Sequence, residues 1–112
     1  MDYKKYKYNH LGIPTHEKRD NEEYIEKFKM FVSGYEQNEF NIEWMRFEED
    51  SKLPELVRKT PHIALEVEDV HKAIQGKEVL IEPNSPSEGV LVAFIIENGA
   101  PVEFIEFKKC NF

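Results

Sequence analysis

Cysteine and long apolar runs are scarce in this chain, and each scarcity excludes a class of protein. Cysteine occurs once among 112 residues, at Cys110, so no internal disulfide can form. No apolar run approaches the roughly 20 residues that a helix needs to cross a bilayer. Residues 1–6 have no signal-peptide core. Together these features predict a protein of the reducing cytoplasm that does not insert into a membrane.

Positive charge is also in short supply. The chain has 15 Lys and Arg residues against 22 Asp and Glu residues, which gives a formal net charge of −7. An acidic surface repels phosphate backbones, and no basic cluster borders an apolar helix, so we expect neither nucleic-acid nor membrane-surface binding. Hydrophobic residues still make up 40% of the chain, which is enough for one domain, residues 1–112, with a modest core.

Two stretches of the first half, residues 6–13 and 39–48, have the pattern of strands. The first alternates weakly between polar and apolar residues, and it places His10 and Gly12 on one face. The second places Glu43 on a face with apolar neighbours two and four positions on. Both stretches therefore present a residue type that can bind a metal ion or move a proton.

Between these strands the sequence predicts a helix over residues 20–33. Asp20 followed by Glu23 three positions later has the arrangement of a capping box, and Gly34 marks the end. The apolar residues at helical spacing are Tyr24, Ile25, Phe28, Phe31 and Val32. We expect the aromatic side of this helix to lie against a sheet.

The second half, residues 61–107, follows a charged connector over residues 49–60. It opens with a strand that carries His62, after which Asp69 caps a short helix that ends at Gly76. Three further strands are predicted over residues 79–81, 90–96 and 102–107. The order of elements in this half is therefore β-α-β-β-β.

The two half-modules, residues 6–48 and 61–107, echo each other. Each begins with a strand that carries a histidine and ends with a strand that carries a glutamate. In chain order these residues are His10, Glu43, His62 and Glu103. A single histidine or glutamate in a strand is typically a solvated side chain, but the repetition of the pair at matching places favours a common function.

Two runs carry a resemblance to a known family: residues 62–70, HIALEVEDV, and residues 102–107, VEFIEF. They are similar to the opening and closing strands of modules in the vicinal oxygen chelate superfamily. That superfamily includes glyoxalase I, methylmalonyl-CoA epimerase, extradiol dioxygenases and the bleomycin- and fosfomycin-resistance proteins. The resemblance covers roughly residues 6–107 and is carried mainly by the second half.

The resemblance implies an α+β fold in which paired β-α-β-β-β modules form one curved mixed sheet around a cavity. The first module is abbreviated, because Glu43 follows Gly34 much sooner than Glu103 follows Gly76. We therefore expect two strands of the first module to be shortened or missing. A sheet edge left open in this way could be covered by a second copy, so we also expect a homodimer.

By position, the resemblance implies that His10, Glu43, His62 and Glu103 are the metal ligands. Two imidazoles and two carboxylates suit a divalent ion such as Zn²⁺, Ni²⁺, Mn²⁺ or Fe²⁺. Small residues beside each histidine, Gly12 and Ala64, are expected to leave room for the metal and a ligand. The ligands are expected to converge on a mixed, partly apolar face of the cavity.

The implied function is that of a metal-dependent lyase or isomerase of the glyoxalase type, acting on a small oxygenated metabolite. Glu103 or Glu43 is the candidate catalytic base, with Glu66 as a weaker candidate on the face of His62. The alternative is a non-catalytic small-molecule-binding or drug-resistance protein of the same fold. A dioxygenase is a third choice, although such sites usually use two histidines and one carboxylate.

Overall fold

The computed structural model describes residues 6–108, so Cys110 lies outside the described residues. Its strands and helices, in chain order, are β1 Lys7–Pro14, β2 Glu23–Ile25, β3 Met30–Ser33, β4 Ile42–Phe47, α1 Glu55–Lys59, β5 His62–Glu66, α2 Val70–Ala73, β6 Glu78–Asn84, β7 Val90–Glu97 and β8 Ala100–Phe107. A single 3₁₀ turn, Glu26–Phe28, separates β2 from β3. Within residues 6–108 no helix has the length and apolar character that a membrane crossing requires.

All eight strands belong to one mixed sheet that curls into a half-barrel, in the order β2-β3-β4-β1-β5-β8-β7-β6. The first strands of the two halves, β1 and β5, pair antiparallel at the centre. Each first strand also pairs in parallel with the last strand of its own half, β4 or β8. The predicted fold class, an α+β protein with a curved mixed sheet, is confirmed.

The predicted helix over residues 20–33 is wrong, because this segment forms the β2–β3 hairpin. Asn21 and Lys29 have φ angles of 61° and 50°, in the left-handed region that a right-handed helix excludes. Across the hairpin the ring centroids of Tyr24 and Phe31 lie 4.8 Å apart. Aromatic and β-branched residues favour strands, and here that preference prevails over a capping-box pattern that occurred by coincidence.

The first module is therefore abbreviated in a different way from the one expected. All four of its strands are present, but β2 has three residues and β3 has four. The corresponding strands of the second module, β6 and β7, have seven and eight residues. Shortened strands were one of the two expected alternatives, and missing strands, the other, do not occur. The element that the first module lacks is the helix after its first strand.

The second module has the helix that the sequence predicts. The Asp69 carboxylate caps α2 by accepting a hydrogen bond from Lys72 N at 3.2 Å. The side of the sheet against which α2 packs is here called the helix face. A cluster of buried apolar residues lies on this face and consists of Val70, Ala73, Ala93, Ile95 and Phe104. This cluster joins α2 to strands β7 and β8 and forms the main apolar core.

Candidate metal centre

The four residues expected as ligands, two histidines and two glutamates, all lie on the opposite side of the sheet, which is here called the site face. Strand register explains this, because residues paired across neighbouring strands point to the same side. Two rows of paired residues cross the seam between the halves. The rows are His10–Ala64–Glu103 and Glu43–Gly12–His62. Each row takes its histidine from one half and its glutamate from the other, and both rows belong to one chain.

Three of the four side chains come together in a buried group. Glu103 Oε1 lies 3.0 Å from His62 Nε2 and 3.4 Å from His10 Nε2. The side chain of Glu103 is 12% exposed, and His10 and His62 are 7% and 3% exposed as residues. The ligand atoms of the three residues lie within 4.8 Å of one another, so the group could hold a metal ion.

Glu43 stands at the margin of this group. Its Oε1 lies 3.8 Å from His10 Nε2, and its side chain is 23% exposed. Burial is the main reason that the pKa of Glu43 is raised; the charge of Glu103 adds to the effect, and the nearby imidazoles oppose it. Glu43 therefore differs from Glu103 in both position and acidity.

Burial also acts to raise the pKa of Glu103, but the hydrogen bonds and charges of His10 and His62 prevail. The net result is a pKa lowered to about 2. This carboxylate is therefore ionised at any pH at which the protein is expected to work. An ionised carboxylate between two imidazoles has the charge that a divalent cation requires of its ligands.

Gly12 makes room for the imidazole ring of His62. A Cβ atom on Gly12 would lie 2.3 Å from His62 Cε1, which is far inside van der Waals contact. The ring of His62 therefore occupies the space above Gly12, across the seam from its own strand. Ala64 pairs with His10 in the equivalent place and is fully buried. The space over Gly12 was expected to hold the metal and a ligand, whereas the ring of His62 occupies it.

Asn9 determines which nitrogen of His10 carries a hydrogen. The Asn9 amide donates from Nδ2 to Glu66 Oε2 at 3.0 Å, so its Oδ1 is the atom that faces His10. His10 Nδ1 lies 2.6 Å from that oxygen and must donate to it. In the neutral ring the lone pair is then on Nε2, which faces the carboxylates of Glu103 and Glu43.

A lone pair that faces two carboxylates is repelled by them unless a cation lies between. Burial by itself lowers the pKa of His10, but its hydrogen bond to Glu103 and the charges of Glu103 and Glu43 outweigh that effect. The pKa of His10 is therefore raised. The electrostatic field that attracts a proton to Nε2 also attracts a metal ion, so the donor set fits a divalent cation.

His62 provides a second sign of a binding function. Its Nε2 donates to the Glu103 carboxylate, while Nδ1 is buried with no hydrogen-bond partner in the part of the chain that is described. Buried polar atoms are nearly always paired, so an unpaired one calls for a specific explanation. Phe94 lies edge-on to the ring at 5.0 Å between centroids and offers no hydrogen bond.

Two residues near the centre were missed by the sequence analysis. Asn9 is buried together with its neighbour His10, which regular strand alternation does not allow, and a register shift between Tyr8 and His10 accounts for it. Tyr35 lies edge-on to His10 at 5.8 Å between ring centroids. No sequence signal marks either residue, because a bulge and a loop position them. Glu66, the weaker candidate base, accepts a hydrogen bond from Asn9.

Comparison with known proteins identifies the fold alone. No family model matches the chain, and no curated protein matches it. Among solved structures, hypothetical protein BH1468 from Bacillus halodurans C-125 is similar, with a TM-score of 0.71 and 23% identity. The match covers 96% of this chain and 98% of that one. The curled mixed sheet is compatible with a glyoxalase-like fold.

Proposed function

We propose that this chain is a metal-dependent lyase or isomerase of the glyoxalase type, acting on a small metabolite with two adjacent oxygens. The observation that carries the proposal is the buried group of His10, His62 and Glu103, in which His10 Nε2 faces carboxylates. These three residues would hold a divalent ion such as Zn²⁺, Ni²⁺, Mn²⁺ or Fe²⁺. When bound, such an ion acts as a Lewis acid on a substrate oxygen.

Glu43 is the residue best suited to move the proton. It stands 3.8 Å from His10 Nε2, outside the tight group, and its raised pKa brings it closer to the range of an effective general base. Glu43 would take a proton from the carbon next to the substrate carbonyl and return it to the neighbouring atom, with no net oxidation or reduction. Glu103, with a pKa near 2, is a ligand and a poor base.

Metal content and proton exchange test these two roles separately. Untagged protein purified without chelator should contain roughly one divalent ion per chain by plasma mass spectrometry. His62→Ala should lose it, while the exposed control His71→Ala should keep it. Glu43→Gln should keep the metal but stop deuterium uptake from D₂O into small 2-hydroxyketones. Protein that neither contains nor takes up a divalent ion would refute the proposal.

The second candidate is a non-catalytic small-molecule-binding or drug-resistance protein with the same fold. Its support is the acidic wall beside Glu43, which includes Glu23 and Glu36 and does not suit the carboxylates of glutathione adducts. Ligand-induced thermal shifts that are unchanged after chelation, without any deuterium exchange, would favour this candidate.

A homodimer remains our proposal for the assembly. The sheet ends in β2 on one side and β6 on the other, and sheet edges are places where a second copy can pair. The candidate ligands come from one chain, so the dimer is proposed as a covering of edges, without a part in completing the metal group. Light scattering should give the mass of two chains, and the mass of one chain would contradict the proposal.

A further inference from the structure

A cavity of about 570 Å³ lies where the parallel strands β1 and β4 end. Pro14, the last residue of β1, and Phe47, the last residue of β4, both line it. From these ends the chain continues to β2 at one edge of the sheet and through α1 to β5, so the two connections diverge. Diverging connections at the carboxyl ends of parallel strands leave a crevice, which is a frequent place for ligands. The volume is within the range of small-molecule sites.

The cavity is separate from the candidate metal centre, because none of the four candidate metal ligands lines it. Pro14 and Phe47 are half-buried, and strand alternation places them on the site face, two and four positions beyond Gly12 and Glu43. Their ring carbons supply an apolar surface at this end of the strands. A ligand bound here therefore gains contact with apolar carbon as well as with charged groups.

One cation of the cavity has hydrogen-bond donors to spare. Arg58 lines the cavity and is half-buried, and its Nε donates to the backbone oxygen of Leu53 at 2.8 Å. With residues 6–108 the guanidinium forms no ion pair, so its two terminal nitrogens are free to donate. Lys59 also lines the cavity, but its Nζ donates to Glu55 at 2.7 Å. A guanidinium that is already held at Nε loses little freedom when its remaining nitrogens bind a carboxylate.

Two carboxylates line the same cavity, and only one of them is without a partner. Glu48 is engaged by Tyr24, since hydrogen bonding to Glu48 is the main reason that the pKa of Tyr24 is raised to about 12. Glu49 forms neither a hydrogen bond nor an ion pair within the part of the chain that is described. Glu49 and Arg58 thus line one space without pairing with each other. Because unpaired charges attract their opposites, the occupant that suits both carries a carboxylate and a cationic group.

We propose that this cavity binds small aliphatic α-amino acids, with the carboxylate of the ligand on Arg58 and its ammonium group on Glu49. The aliphatic side chain of the ligand lies against Pro14 and Phe47. A simple amine or a simple carboxylic acid leaves one of the two charges unpaired, and a dicarboxylic acid brings a second negative charge to an acidic place. The inference does not depend on the proposed function, because no candidate metal ligand takes part.

Three matched probes test this assignment. L-Norvaline has all three parts, pentanoate lacks the ammonium group, and butylamine lacks the carboxylate. Each is titrated into the full chain in the presence of a chelator, and the amide signals of Thr15 and His16, which line the cavity, report binding by nuclear magnetic resonance. Norvaline should bind about tenfold more tightly than either of the other probes, because only norvaline pairs both charges. Equal affinities for the three probes, or norvaline shifts confined to other parts of the chain, would overturn the inference.

Variants assign the two charged ends of the ligand. Arg58→Gln should lower the affinity for norvaline to that for butylamine. Because Arg58 also bonds to Leu53, a second variant is Glu49→Gln, which changes an exposed side chain without a partner in residues 6–108. Glu49→Gln should lower the affinity for norvaline about tenfold, to that for pentanoate. Glu97→Gln, which is exposed and outside the cavity, is the matched control and should keep the preference. A Glu49→Gln protein that still prefers norvaline to pentanoate would overturn the inference.

Discussion

The two halves of the molecule have the same order of strands but cover their helix faces by different means. In the second half, α2 packs on β7 and β8 with five buried apolar residues. Within residues 6–48 no α-helix is present, and the guanidinium of Arg46 lies 4.2 Å from the ring centroid of Phe31. Glu22 accepts two hydrogen bonds from that guanidinium, at 2.7 and 2.8 Å. One half therefore depends on apolar burial and the other on charge.

The site face shows the same contrast at the two histidines. His10 is held by Asn9 and faces two carboxylates, whereas His62 lies over Gly12 with one nitrogen unpaired. The residue at the position equivalent to Asn9 in the second half is Pro61, which has no side-chain acceptor. A repeated topology thus supplies the positions of the two imidazoles, while their environments differ.

The largest expected effect comes from the second half, in which apolar residues cover the helix face. Phe104 is 2% exposed and lies at the centre of the buried cluster, so Phe104→Ala should lower the free energy of unfolding by about 3–5 kcal/mol. The matched change in the first half, Phe31→Ala, removes a half-buried ring beneath Arg46 and should cost about 1–2 kcal/mol. Urea denaturation measures both. Equal losses would contradict the assignment of the main core to the second half.

The second expected effect concerns Gly12 and Ala64, which pair with His62 and His10 across the seam between the halves. Gly12 is replaced by alanine, and Ala64 by glycine. Gly12→Ala brings a methyl group into the ring of His62, and the overpacking should cost about 1–3 kcal/mol. Because the ring must move, metal affinity should fall by at least about tenfold. Ala64→Gly only removes a methyl group, so it should cost about 1 kcal/mol and leave metal affinity unchanged.

Metal titration by calorimetry, together with denaturation of the metal-free proteins, separates the two effects of Gly12→Ala. A Gly12→Ala protein that binds metal as the parent does would show that the ring of His62 can shift without leaving the group. It would then follow that Gly12 is required for packing alone.

The third effect tests the difference between the two imidazoles. Asn9→Leu removes the acceptor for His10 Nδ1, so the ring can take either tautomer, and metal affinity should fall by about 10–100-fold. Glu66→Gln is the control, because the amide oxygen of glutamine can still accept the hydrogen bond from Asn9. Nitrogen chemical shifts of the imidazoles report the tautomer directly. A His10 that keeps its hydrogen on Nδ1 in Asn9→Leu would refute this role for Asn9.

The fold class was predicted from a resemblance that the second half mainly carries, and the local signals of that half agree with one another. Asp69 caps the start of α2, Gly76 follows its end with a φ angle of 74°, and Asn98-Gly99 forms the hairpin turn with φ angles of 48° and 84°. The segment over residues 20–33 carried conflicting signals, a capping-box pattern and strand-forming side chains, and pairing with β4 decided between them. Such pairing is a long-range contact, which local patterns do not encode.

The candidate site was predictable only in part for a related physical reason. His10, His62 and Glu103 could be found because strand alternation and repetition place them on one face. The role of Asn9 depends on a bulge, and the position of Glu43 at the margin of the group depends on distances within the curled sheet. Neither quantity is contained in the spacing of residues along the chain.

The smallest expected effect concerns the first half, in which the Glu22–Arg46 ion pair covers the helix face, and it depends on pH. Hydrogen bonding from Arg46 is the main reason that the pKa of Glu22 is lowered from its ordinary value of 4.5. A lowered pKa means that the interaction is complete above the ordinary value and is lost as the pH falls through the folded one. We therefore expect the covering of the first half to loosen in acid while the cluster around α2 persists.

Trp44, the single tryptophan, reports on this region, since the Arg19 guanidinium lies 4.9 Å from the centroid of its ring. Its fluorescence should change as the pH falls below 4.5, and Glu22→Gln should show the acid-state emission already at pH 7. Glu55→Gln, which removes an exposed pair with Lys59, should behave as the parent protein does. If the parent and Glu22→Gln have the same acid transition, the Glu22–Arg46 pair does not stabilise the first half, and the contrast between the halves reduces to the presence or absence of a helix.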